Sequence, residues 1–230
     1  MDSAYLFSII LNFLLPGIPF WIGVFRWKRI DERFYPIIAI MGVAFVNELF
    51  RFFQLLNYVG KLGWSLGLSL MGYNLYVLII SFLYVILFKN LGVFTNRKKL
   101  FQIILAVFFI FWLTDHFLLP GHSIHGTTKF FRIFYSFILS LLAIQKINIL
   151  IVTEKKSLIN NPAFLICICM LFYFLPYIVT ECITLLIKST TLEFQKAVYK
   201  FRKISNIVIY LIYTLAVIWI PPKRQFIQLS

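Results

Sequence analysis

The chain has 230 residues, of which 61% are hydrophobic and only 13% charged, with a mean hydropathy of +0.90. A soluble domain is about 45–50% apolar, so this composition excludes one and points to an integral membrane protein. The net charge of +14 would suggest nucleic acid in a soluble chain, but here Lys and Arg gather between apolar runs, where the positive-inside bias and anionic headgroups account for them. No nucleic-acid-binding module is recognisable.

Seven spans are predicted, at about residues 4–25, 35–57, 64–88, 100–119, 130–152, 163–187 and 204–221. Each is expected to be helical, because hydrocarbon offers the backbone no partners. Uninterrupted runs of about 20 residues exclude ten-residue barrel strands. The fold class is therefore all-α, a single polytopic domain built as a bundle of seven transmembrane helices. The first span carries Asp2 rather than a basic leader and no A-x-A site, so it reads as a retained span. Pro16, Gly17 and Pro19 should kink it, as Pro176 should kink the sixth. In the sixth loop Phe194, Val198 and Phe201 share one face and Lys196, Lys200 and Lys203 the other, which predicts a short amphipathic helix lying on the membrane.

Thirteen basic residues fall in the first, third and fifth loops and the tail, and nine at the opposite end. That bias predicts the amino end outside and the carboxyl end in the cytoplasm. Cys167, Cys169 and Cys182 all fall in one span and read as small buried hydrophobes rather than a disulfide framework.

Three carboxylates interrupt the apolar spans, one in each even-numbered helix: Glu48, Asp115 and Glu181. Each lies a few residues before its helix ends, which places all three about 8–13 Å below one interface. The odd-numbered helices begin there and bring Asn74, Asn206 and Tyr210 to similar depth, with Tyr73, Tyr135 and Ser136. His116 adjoins Asp115, and Tyr177 lies one turn before Glu181. Arg51 is the expected partner of Glu48 at i+3. Ionisable residues at such depth face a bundle interior or a wet cavity and are functional candidates, against the plainer reading of interhelical hydrogen bonds. Glu48, Arg51, Asn74, Asp115, His116, Tyr177, Glu181, Asn206 and Tyr210 form the candidate ligand site.

A second cluster, TDHFLLPGHSIHG, holds all three histidines: His116, His122 and His125. Imidazole beside carboxylate suits a divalent metal such as zinc, against the plainer reading of a polar loop. Mid-helix Lys in the seventh span, H-E-x-x-H and G-x-S-x-G are all absent.

The basic FRWKR after the first span, Glu48, the aromatic GYNLYVLIISFLY, NPAF opening the sixth span, Phe172-Tyr173-Phe174 within it and ISNIVIYLIYTLAVIW at the end form a recognisable set. On these the chain resembles a family of small bacterial seven-span integral membrane proteins, seen mostly in Bacteroidota. Where those proteins often carry a glutamate in the third span, this chain has Ile79, Ile80 and Ser81. The resemblance implies a seven-helix bundle in the cytoplasmic membrane and no particular activity.

The function expected from these residues is a membrane-embedded binding or sensory module with a polar pocket in the outer leaflet. Its short loops require a cytoplasmic or membrane partner protein for output, and a homo-oligomer is left open. A small transporter using the same pocket is the alternative. A metal-dependent intramembrane hydrolase centred on Asp115, His116 and Glu181 is the third.

Overall fold

A computed structural model describes residues 3–60, 66–95, 97–118, 129–154, 158–186 and 192–223. Among these there is no strand, and seven helices follow one another: α1 (Ser3–Arg26), α2 (Tyr35–Gly60), α3 (Leu66–Asn90), α4 (Lys98–Leu113), α5 (Lys129–Thr153), α6 (Pro162–Leu186) and α7 (Leu192–Trp219). Six of them, α2 to α7, are long and apolar enough to cross a membrane, and α1 contributes the shorter apolar stretch Leu14–Arg26. Their outward faces carry Ile103, Ile110, Phe137, Val179, Val208 and Leu211 exposed, a surface that suits hydrocarbon rather than water. By length and composition, these helices suggest a multi-pass membrane protein.

Local chemistry sets the helix ends. Asn161 caps α6, its Oδ1 accepting from the Ala163 N–H at 2.9 Å, with Pro162 as the first helical residue. Gly92 ends α3 with φ +83°; its N–H bonds to Lys89 O and that of Val93 to Phe88 O, both at 3.0 Å, the paired closure of a glycine C-cap. The C-terminus of α7 is capped from a distance. The Arg26 guanidinium donates to the carbonyls of Val217, Ile218 and Ile220 at 2.6, 2.7 and 3.1 Å. Beside it Ile30 and Pro222 form an isolated β-bridge, and Lys223 pairs with Glu32, which holds the Lys223 ammonium pKa above its usual range through a side-chain hydrogen bond. The first and last helices are thereby clasped at one end.

Six helices close a ring in the order α1, α2, α3, α5, α6, α7 and back to α1, while α4 lies outside it against α3 and α5. Glycines let α1 and α2 approach closely. A Cβ on Gly23 would meet Ile38 Cγ1 at 2.7 Å, and one on Gly42 would meet the Phe20 ring at 2.7 Å. Phe108, the buried residue of α4, meets Phe131 edge-on at 5.9 Å and docks the outlying helix on α5. The rest of the core joins α2, α3, α5, α6 and α7 through Ile37, Met41, Val85, Phe88, Leu139, Phe174 and Val217.

One expected element is corrected. Residues 192–203 do not form a separate surface helix; they are the first turns of α7, which runs without a break to Trp219. LEFQKAVYKFRK contains neither Gly nor Pro, so nothing stops the helix from extending past its apolar section.

Candidate functional site

The ring encloses a vestibule of about 320 Å³ between α2, α3, α5, α6 and α7. Glu48 and Arg51 of α2, Tyr73 of α3, Arg132 of α5, Tyr173 and Tyr177 of α6, and Arg202, Lys203, Asn206 and Tyr210 of α7 line it. Below it is a narrower throat of about 60 Å³ that shares Tyr73, Arg132, Tyr173, Tyr177, Asn206 and Tyr210 with the vestibule. The throat is walled by eight of the chain's 12 tyrosines, among them Tyr76, Tyr84, Tyr135 and Tyr213. The Tyr84 and Tyr213 hydroxyls are 3.2 Å apart.

The centre of the vestibule is an ion triad. Glu181 Oε1 accepts from Arg132 Nη2 and from Arg202 Nη2, each at 3.0 Å. Arg132 and Glu181 are both buried, and the Arg202 side chain is about one third exposed. Arg132 Nη1 donates to the Tyr73 hydroxyl at 3.0 Å, and Arg202 Nη2 also donates to Thr180 Oγ1. Both guanidiniums sit over the Tyr177 ring, at 5.0 and 4.9 Å from its centre, a cation–π arrangement on top of the ion pairs. Among the described residues Arg132 Nε, Arg202 Nε and the Tyr177 hydroxyl are buried with no hydrogen-bond partner. Buried polar atoms of this kind are normally satisfied, so these three donors are available to something that enters.

The VNELFR segment forms the pair expected of its spacing, Arg51 Nη1 to Glu48 Oε1 at 3.1 Å. Arg51 remains largely exposed. Four cations, Arg51, Arg132, Arg202 and Lys203, thus face two carboxylates, Glu48 and Glu181. The formal balance of plus two favours an anionic guest.

Of the residues predicted from sequence, Glu48, Arg51, Tyr177, Asn206 and Tyr210 line the vestibule, and Glu181 joins two of its arginines. Asn74, Asp115 and His116 line neither cavity and form a second cluster between α3, α4 and α5. The chain after α4 widens into a π-helical turn, Thr114–Leu118. There Asp115, fully buried, accepts the Phe131 N–H at 2.9 Å. That N–H belongs to the first turn of α5, where backbone donors lack helical partners and a carboxylate is favoured. His116 stacks on Trp112 at 5.3 Å and lies 3.4 Å from Asn74 Nδ2, while Trp112 Nε1 donates to Asn74 O at 3.1 Å. The three carboxylates therefore divide their work: two belong to the vestibule, and Asp115 pins the helix end that carries Arg132.

Of the expected metal set, His116, His122 and His125, only His116 lies among the described residues. Among the described residues no three His, Cys, Asp or Glu side chains converge on a point that could hold a metal ion. Glu181 is directed to arginines, Asp115 to an amide and His116 to an amide and an indole. His122 and His125 lie outside the described residues.

Arg132 and Arg202 were missed as site residues because they stand at the edges of apolar runs, where basic residues count as loop charges. The signal was there for Arg132, which stands among aromatics in KFFRIFYS rather than in a polar stretch. No family model, curated protein or solved structure matches the chain.

Proposed function

We infer that the protein is a binding module of the bacterial cytoplasmic membrane, with seven spans and the amino end outside, whose vestibule takes a small anionic group from the outer side. Binding would shift α5 and α7 against α6, and a cytoplasmic or membrane partner protein would read that motion. The observation that carries this reading is the sharing of one Glu181 oxygen by arginines from two different helices in a cavity with surplus positive charge. Guanidiniums match oxyanions in planar, paired hydrogen bonds, which a lysine does not reproduce. An arginine pair neutralised by a single internal carboxylate also gives two arrangements, with and without ligand, as a switch requires.

The test is thermal unfolding of the purified chain in uncharged detergent against a panel of carboxylates and phosphates. A ligand at about a hundred times its Kd adds about 2.7 kcal/mol of stability. The expected result is stabilisation of the wild type and none of a paired Arg132→Gln, Arg202→Gln variant. Equal stabilisation of both, or of neither, sinks the reading.

Transport is the second reading, and the throat favours it. The throat continues the vestibule inward and meets the Tyr84–Tyr213 hydroxyl pair, which would have to part for passage. Uptake of the stabilising anion into proteoliposomes that hold only this chain separates carrier from sensor.

A further inference from the structure

The vestibule is not closed on its outer side. Phe172 of α6 and Phe201 of α7 both line it, yet they are 63% and 50% exposed on the surface of the bundle. Pro176, which also lines it, stands between Phe172 and Tyr177 on α6. The α6–α7 seam is thus a place where a cavity holding the buried Arg132 and the half-buried Arg202 reaches the apolar outer face. That face continues beside the seam as exposed Leu175, Val179, Ile204 and Val208. The throat offers no alternative room for a chain. Its 60 Å³ holds a few waters at most.

Resting on the anion-binding reading above, we propose that the guest is an anionic amphiphile that enters from the bilayer between α6 and α7, and that its compact oxyanion head displaces Glu181 from Arg132 and Arg202. The head takes the guanidinium Nη donors that Glu181 now holds, together with the partnerless Arg132 Nε, Arg202 Nε and Tyr177 hydroxyl. The tail leaves past Phe172 and Phe201 onto the hydrocarbon-facing surface. Glu181 is then a built-in competitor, a carboxylate that neutralises the arginines when the site is empty. A water-soluble anion would need no apolar mouth, and a neutral lipid would leave the arginines without an exchange partner for Glu181.

Native mass spectrometry of the full chain in uncharged detergent tests this with three probes: phosphatidate with eight-carbon chains, phosphatidylcholine with the same chains, and inorganic phosphate as competitor. Phosphatidate is expected to be retained at least tenfold more tightly than phosphatidylcholine and to resist millimolar phosphate. Glu181→Gln is expected to bind phosphatidate at least tenfold more tightly than the wild type, because the competitor has lost its charge. The paired Phe172→Ser, Phe201→Ser variant is expected to lose affinity for phosphatidate only. If phosphate displaces phosphatidate at similar concentration, the guest is a soluble anion; the amphiphile is overturned while the anion site stands. If phosphatidylcholine binds as well as phosphatidate, anion recognition itself fails. If Glu181→Gln binds phosphatidate no better than the wild type, displacement of Glu181 is overturned. The Glu181 and phenylalanine variants leave both arginines in place, so the proposal stays falsifiable even where the arginine variant does not fold.

Discussion

Glu181→Gln should destabilise the protein even though it is nearly isosteric. The wild-type carboxylate bridges two guanidiniums through one oxygen, at 3.0 Å from each, and offsets one of their two charges. Breaking a buried ion pair by removing one partner costs about 3–5 kcal/mol, because a charge is left buried without compensation. Here Arg132 is left that way, its side chain only 11% exposed, while Arg202 at 36% recovers part of its hydration from the vestibule. The lower end of that range, about 3 kcal/mol, is therefore expected. A cycle with Arg132→Met and the double variant isolates the pair, measured by unfolding in mixed micelles of neutral and denaturing detergent. The coupling should fall within about 1–3 kcal/mol, with the double variant more stable than the sum of the singles implies. A Glu181→Gln protein within about 0.5 kcal/mol of wild type, the range of an unremarkable surface change, would mean that vestibule water already solvates the arginines. The triad would then hold nothing together. The same variant is the one expected to bind an anionic amphiphile more tightly, so its stability and its affinity should move in opposite directions.

Three further outcomes follow from the fold. Arg26→Met removes a charged donor from three carbonyls at the end of α7 and should cost about 2 kcal/mol by the same unfolding assay. Asp115→Ala uncaps the first turn of α5 and should cost about 1–2 kcal/mol; because that turn carries Arg132, anion affinity should fall with it, whereas Arg26→Met should leave affinity unchanged. Gly23→Ala places a methyl 2.7 Å from Ile38 Cγ1 and should cost about 1–3 kcal/mol, with the loss reduced by a compensating Ile38→Ala, which removes both Cγ atoms.

Hydropathy and local spacing made the helices and one ion pair legible. The apolar runs coincide with helices because hydrogen bonding within the run is the solution open to a chain without water. The Glu48–Arg51 pair was legible because i,i+3 neighbours share a helix face regardless of what surrounds them. Contacts between helices were not legible. Nothing in the segment TDHF says that Asp115 meets the amide of Phe131 rather than Glu181, since that depends on α4 lying outside the ring and on a π-helical turn that rotates the carboxylate toward α5. Depth alone therefore grouped three carboxylates that packing separates. Arg132 and Arg202 were obscured for a related reason. A charge at the edge of an apolar run looks solvated, and only the partner helix α6, arriving with Glu181 and Tyr177, draws it into the bundle.

The same two arginines alter how the charge of +14 is read. Nine basic residues belong to the end of the bundle that holds the vestibule, but Arg51, Arg132, Arg202 and Lys203 line the cavity, which leaves five outside it. Of the thirteen at the other end, Arg26 caps α7 and Lys146 donates to Leu91 O at 2.7 Å, which leaves eleven. The basic bias behind the proposed orientation thus grows from roughly three to two to roughly two to one once the cavity-lining and carbonyl-capping cations are set apart. The two populations act differently. At the end proposed to be cytoplasmic, lysines and arginines outside the bundle would meet anionic headgroups and be screened within about 8 Å at physiological salt. The vestibule cations lie in a partly water-excluded cavity where screening is weak, so on the proposed reading an approaching anion would be drawn toward a local excess of positive charge.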